Sequence, residues 1–117
     1  MKLQELVEKV KAHPRFHEAG MILAHNGVVR QTSRDGKAVT GLRVSVDHDQ
    51  LEKVIAAQKS KPGIIEILVE INAERELSIG DDVMYLVVAG DIRDRVIPVF
   101  EETLNAIKST VTRKSER

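Results

Sequence analysis

Five cations stand where predicted elements end or begin, and their placing suits chemistry: Arg30, Arg93, Lys108, Arg113 and Lys114. Arg30 closes the segment His25-Asn26-Gly27-Val28-Val29-Arg30. Arg93 falls in the first turn of a predicted last helix, Lys108 in its last turn, and Arg113 and Lys114 just beyond it. A basic cluster at one end of an apolar scaffold suits an anion, which guanidinium and ammonium groups bind through charge-assisted hydrogen bonds. Each residue also has an ordinary reading. A lysine closing a helix complements the dipole, Arg93 has Asp91 and Asp94 beside it as ion-pair partners, and Arg30 after a strand is by default a surface residue.

The elements that must position these cations follow from periodicity. Leu3, Leu6, Val7 and Val10 recur at helical spacing, which predicts a helix over residues 2–12 that Pro14 helps to end. The run after Gly20 reads as a strand, with Gly27 marking a bulge or a close backbone approach. Asp35-Gly36 is a turn signal between that strand and the next, in which Leu42, Val44 and Val46 alternate with Gly41 and Arg43. Asp47 or Asp49 caps a second helix carrying Leu51, Val54 and Ile55, and Lys61-Pro62-Gly63 stops it. IIEILVEI is a strand, RELSIGD a loop and turn, and residues 83–89 a strand with so little alternation that it should be central. The last helix places Val96, Phe100, Thr103, Leu104 and Ile107 on one face, with Pro98 inside the pattern as a kink or a late start. The order is helix, strand, strand, helix, strand, strand, helix. It predicts an α+β domain, its mixed or antiparallel sheet covered by helices on one side.

Composition narrows the function. A chain of 117 residues without cysteine forms one domain and excludes disulfides, a thiolate metal site and a cysteine nucleophile. The 18 basic and 18 acidic residues cancel, which argues against a dedicated nucleic-acid binder while leaving room for a local basic pocket. Phe16, Tyr85 and Phe100 are too few aromatics for a base-stacking platform. No run is apolar enough for a membrane span or a signal peptide, so a soluble cytoplasmic protein is expected. His13 and His17, with the Asp47-His48-Asp49 run, are weak as metal ligands, and no metal is expected. No glycine-rich phosphate loop or serine elbow is present.

In their order, these segments resemble the large, catalytic subunit of molybdopterin synthase. That family has a strand ending in a segment like residues 25–30 here, then a turn, a strand and a helix. A loop like Arg75-Glu76-Leu77-Ser78-Ile79-Gly80-Asp81 leads into its hydrophobic strand. Its last helix opens as Ile92-Arg93 and closes as Ile107-Lys108, with a further lysine matched by Lys114. The resemblance runs from Gly20 to Lys114 within a single domain of residues 1–117, whose core is about 18–114.

The resemblance implies an enzyme of molybdenum cofactor biosynthesis that works as a homodimer without a cofactor. A small ubiquitin-like subunit would thread its thiocarboxylated C-terminal Gly-Gly tail into a pocket and give sulfur to a cyclic pyranopterin phosphate. Lys108 matches the central lysine of this sulfurtransferase chemistry, with Lys114 as the second. Arg30 and Arg93, with Arg113 beside them, would hold the substrate's phosphate. Arg30, Arg93 and Lys108 should then converge on one pocket, and Lys114 is expected in a mobile tail. The chain also departs from the family pattern: Ile92 replaces a helix-opening histidine, His25 a phenylalanine, and Lys114 matches only after a one-residue gap. The alternative is a catalytically degenerate homologue acting as a homodimeric binding or interaction protein.

Overall fold

A computed structural model describes residues 2–117. In chain order the elements are α1 (Leu3–Lys11), a 3-10 turn (Phe16–Glu18), β1 (Met21–Val28), β2 (Gly41–Val46), α2 (His48–Lys59), β3 (Ile64–Ile71) and β4 (Leu77–Ser78). There follow β5 (Asp82–Gly90), α3 (Arg93–Ala106), a π turn (Ile107–Val111) and β6 (Thr112–Glu116). All strand pairs are antiparallel, in two three-stranded sheets ordered β1-β5-β3 and β4-β2-β6. The α+β class with antiparallel sheets is as expected.

β5 is central because both of its faces are covered. Its residues from Val83 to Gly90 are all buried, the pattern of a strand without a solvent side. Met84, Leu86 and Val88 point into the larger core with Val54 of α2 and with Val96, Val99 and Ile107 of the last helical stretch. Tyr85, Val87 and Ala89 point the other way, against Leu6 and Val10 of α1. The expectation of helices on one side is therefore corrected: α1 covers the face opposite α2 and α3. Its narrow stripe of leucine and valine matches that face, which leaves only two of its side chains fully buried.

Two further corrections concern strand pairing. The Asp35-Gly36 turn does not join β1 to β2, which lie in different sheets; it closes a small local hairpin marked by the Thr32–Ala38 bridge. The C-terminal tail is a strand, with β6 pairing along β2 from Leu42–Glu116 to Val46–Thr112. The bulge expected at Gly27 is present, as the β1–β5 register shifts between Gly27 and Val28. Asp47 caps α2 by accepting from the Gln50 amide at 3.1 Å, and Pro98 stands inside α3, which starts at Arg93.

Candidate functional site

The cations that line the cavity between the loop after β1 and the end of the last helix arrive from two directions. One is the loop after β1. Arg30 directs its Nε to the Thr32 carbonyl at 2.9 Å, so its terminal nitrogens stay available. The Gly36 amide donates to the Ser33 carbonyl at 3.0 Å and the Ser33 amide to the Lys37 carbonyl at 2.8 Å, closing the hairpin tip. Gly36 has a φ of 85°, a left-handed conformation that glycine adopts without the Cβ penalty. Arg34 occupies the first corner of that tip.

The second direction is the end of the last helix. Ser109, Thr110 and Thr112 are poor interior helix residues because their hydroxyls compete for the backbone. Here they donate to the helix's final carbonyls: Ser109 to Asn105 at 2.8 Å, Thr110 to Ala106 at 2.7 Å and Thr112 to Ile107 at 3.3 Å. The helix widens into a π turn, a form that recurs at functional sites. Ile107 and Val111 fix that turn in the core, while Lys108 between them reaches the cavity. In β6, alternate residues Thr112, Lys114 and Glu116 face the same cavity.

The resulting cavity is about 550 Å³. Val29, Val39, Leu42, Val44 and Val83 contribute apolar walls, and Arg30, Arg34, Lys108 and Lys114 bring four positive charges. Glu116 is the only carboxylate among the described lining residues. Burial lowers the pKa of Lys108, and the charges of Lys114 and Arg34 lower it further. His25, whose ring meets Phe100 edge-on at 6.3 Å, also lines the cavity. Its pKa is lowered by burial and then by the Lys108 charge, which favours the neutral ring. A neutral imidazole keeps one nitrogen as an acceptor beside the Lys108 ammonium.

Of the residues singled out from sequence, Arg30, Lys108 and Lys114 share this cavity. Arg93 does not, which corrects the expected convergence within the chain. It lines a separate depression with Gly20, Met21 and Asp91, because α3 starts at the far end of β5 from its π turn. Arg113 is turned away by strand alternation and lines a third depression with Ser45, Asp47 and Thr110. Arg34 and His25 were missed as site residues. The signal for Arg34 was its place beside the Asp35-Gly36 turn, four residues after Arg30.

The sequence profile of the family described as MoaE protein matches residues 1–110. The chain belongs to this family. The match takes in Arg30, Arg34, Arg93 and Lys108 and stops short of Arg113 and Lys114. Among solved structures, molybdopterin synthase from Staphylococcus aureus superposes with a TM-score of 0.80 at 19% identity, covering 100% of this chain and 85% of that one. The molybdopterin biosynthesis MoaE protein of Burkholderia ambifaria gives 0.79 at 18% identity, covering 100% and 81%. A complex of subunits 1 and 2 of molybdopterin-converting factor from Helicobacter pylori gives 0.75 at 17% identity, covering 99% and 78%. These likenesses show the family's fold. No curated protein sequence matches the chain.

Proposed function

We propose that this protein acts in molybdopterin biosynthesis as a sulfur-transferring large subunit, with Lys108 as its reacting lysine. The observation that carries this reading is the setting of Lys108, on a π turn at an apolar-walled cavity, where burial first and then the charges of Lys114 and Arg34 hold its pKa down. Family membership supports the reaction class, and the solved complex of two subunits from Helicobacter pylori supplies the precedent for a second subunit.

In this reading a small ubiquitin-like carrier places its thiocarboxylated Gly-Gly tail in the cavity, beside a cyclic pyranopterin phosphate. Once the tail's sulfur has bonded to a carbon of the pterin side chain, displacing an oxygen substituent that leaves with its electron pair, the C–S bond to the tail's acyl carbon must break. Sulfur leaves with the electron pair only if another nucleophile takes the carbon. A neutral Lys108 amine does so directly, giving an amide that water later hydrolyses, or it takes the proton from an attacking water. Either route returns the tail as a carboxylate and leaves sulfur on the pterin. Arg30 and Lys114 hold the anionic groups, as charge-assisted donors do. Arg93 and Arg113 take no part from within the same chain.

The homodimer belongs to the same reading. Val28, Ile79, Ile92 and Ile97 are large apolar side chains left about half exposed, a pattern that a subunit contact would cover. The deciding experiment is reconstitution with a thiocarboxylated carrier and the pterin substrate, followed by detection of the dithiolene product. Turnover by the wild type is expected. Its absence with the true carrier would move the protein to the alternative of a binding subunit.

A further inference from the structure

Four cations facing one carboxylate is more charge than a single carboxylate ligand needs, and the two arginines are grouped. Arg30 and Arg34 both come from the loop between β1 and β2, whereas Lys108 and Lys114 come from the π turn and β6. The loop is built to present Arg34. Its neighbour Asp35, the nearest acid in sequence, is already engaged by the Ser33 hydroxyl and by Lys37 at 3.8 Å. The Ser33 hydroxyl in turn accepts from the Lys37 amide at 3.1 Å, so the tip is tied on both sides of Arg34. Among the described residues no hydrogen bond or ion pair occupies the Arg34 side chain, which lines the cavity close enough for Lys108 to feel its charge.

We propose that Arg34 is a phosphate-binding residue, paired with Arg30, and that the 32–38 hairpin sets the cavity's preference for a phosphorylated ligand over a carboxylate. Two guanidinium forks can share the several oxygens and double charge of a phosphate monoester or inorganic phosphate, whereas a carboxylate satisfies only one fork. This deepens the reading of the Lys108 cavity and is independent of whether sulfur is transferred there.

The test uses the full chain and two probes, inorganic phosphate and acetate, followed by amide chemical shifts at constant ionic strength. The wild type should bind phosphate with shifts at residues 30–38, and acetate more weakly. Arg34→Ala should lose roughly tenfold or more in phosphate affinity, as expected for a charge-assisted donor, while acetate affinity stays nearly constant. Arg34→Lys should recover only part of the loss. Lys53→Ala removes the same charge from the exposed side of α2, outside the cavity and the hairpin, and should leave phosphate affinity within about twofold because exposed charges are screened. Equal phosphate affinity in wild type and Arg34→Ala overturns the proposal. So does an equal loss in Arg34→Ala and Lys53→Ala, or a wild type that binds no phosphate. A failed sulfur-transfer assay leaves the phosphate result standing, so the two readings fall separately.

Discussion

Lys114 stands directly opposite Val44 in the antiparallel ladder of β6 and β2. Cross-strand partners share a face, so this pairing, rather than nearness in the chain, turns the Lys114 ammonium into the cavity that Val44 walls. There it acts on Lys108, whose pKa is lowered first by burial and then by Lys114 and Arg34.

A shift in the pH profile follows from that contact. If neutral Lys108 is the reacting form, the rate of sulfur transfer rises with pH through the Lys108 pKa. Lys114→Ala removes a cation that opposes protonation, so the pKa rises and the limb moves to higher pH. Lys114→Arg keeps the charge and should keep the limb in place. Single-turnover rates across pH in the three proteins check this; a limb unmoved by Lys114→Ala would break the electrostatic link.

Lys108 itself should be dispensable for folding and required for turnover. Its side chain lines the cavity and, among the described residues, makes no ion pair, so Lys108→Ala should change stability by no more than about 0.5 kcal/mol. Lys108→Arg should be nearly as inactive, because arginine does not give up its proton near neutral pH. Thermal melts alongside product formation settle it, and a fully active Lys108→Ala variant ends the mechanism.

Acid stability should depend on the opposite side of β5. The Tyr85 hydroxyl donates to Asp82 at 2.5 Å and the Asn26 amide donates to the same carboxylate at 3.1 Å, which holds the Asp82 pKa below its usual value. A carboxylate depressed in the folded state contributes stability above its unfolded pKa, and loses it as pH falls through the folded pKa. Tyr85→Phe removes the larger cause, so the variant should lose less stability on acidification than the wild type. Urea midpoints at neutral and acidic pH measure this. An identical acid dependence in both proteins would show that Asp82 is held by something else.

Residue pattern revealed most of the scaffold and only part of the site. Periodicity located α1 and α2 because each buries one stripe, and apolar runs located β3 and β5, the latter buried on both faces. The tail was misread because Thr112–Glu116 is too polar to show strand periodicity; its order comes from backbone bonds to β2, as when the Arg117 amide donates to the Gly41 carbonyl at 3.1 Å. Arg93 and Lys108 looked like partners because one helical stretch bears both, yet a helix of 14 residues followed by a π turn separates its ends by some 20 Å. Arg34 stayed hidden because its value depends on where a hairpin tip points, which sequence alone does not fix.

The junction between β5 and α3 sets how the last helix is aimed, and Gly90 is one of its tight points. The Gly20 amide donates to the Gly90 carbonyl at 2.8 Å, and the Asp91 amide to the Gly63 carbonyl at 2.9 Å. A Cβ at position 90 would lie 2.7 Å from the Gly63 carbonyl oxygen and 2.7 Å from Cγ2 of Val96. The carbonyl belongs to backbone, and Val96 is fully buried, so neither can yield without moving β3 or α3. Gly90→Ala should therefore cost about 1–3 kcal/mol, the usual range for overpacking. Gly36→Ala is the contrast: space around it is open and only its φ of 85° is unfavourable for alanine, so its cost should be about 1–2 kcal/mol. The two also differ in what they disturb. Gly90→Ala should tilt α3 and lower turnover through Lys108, whereas Gly36→Ala should weaken phosphate binding through Arg34 and spare the core. Urea unfolding gives the energies and phosphate titration separates the effects; a Gly90→Ala protein as stable as the wild type would mean that this junction is looser than its packing indicates.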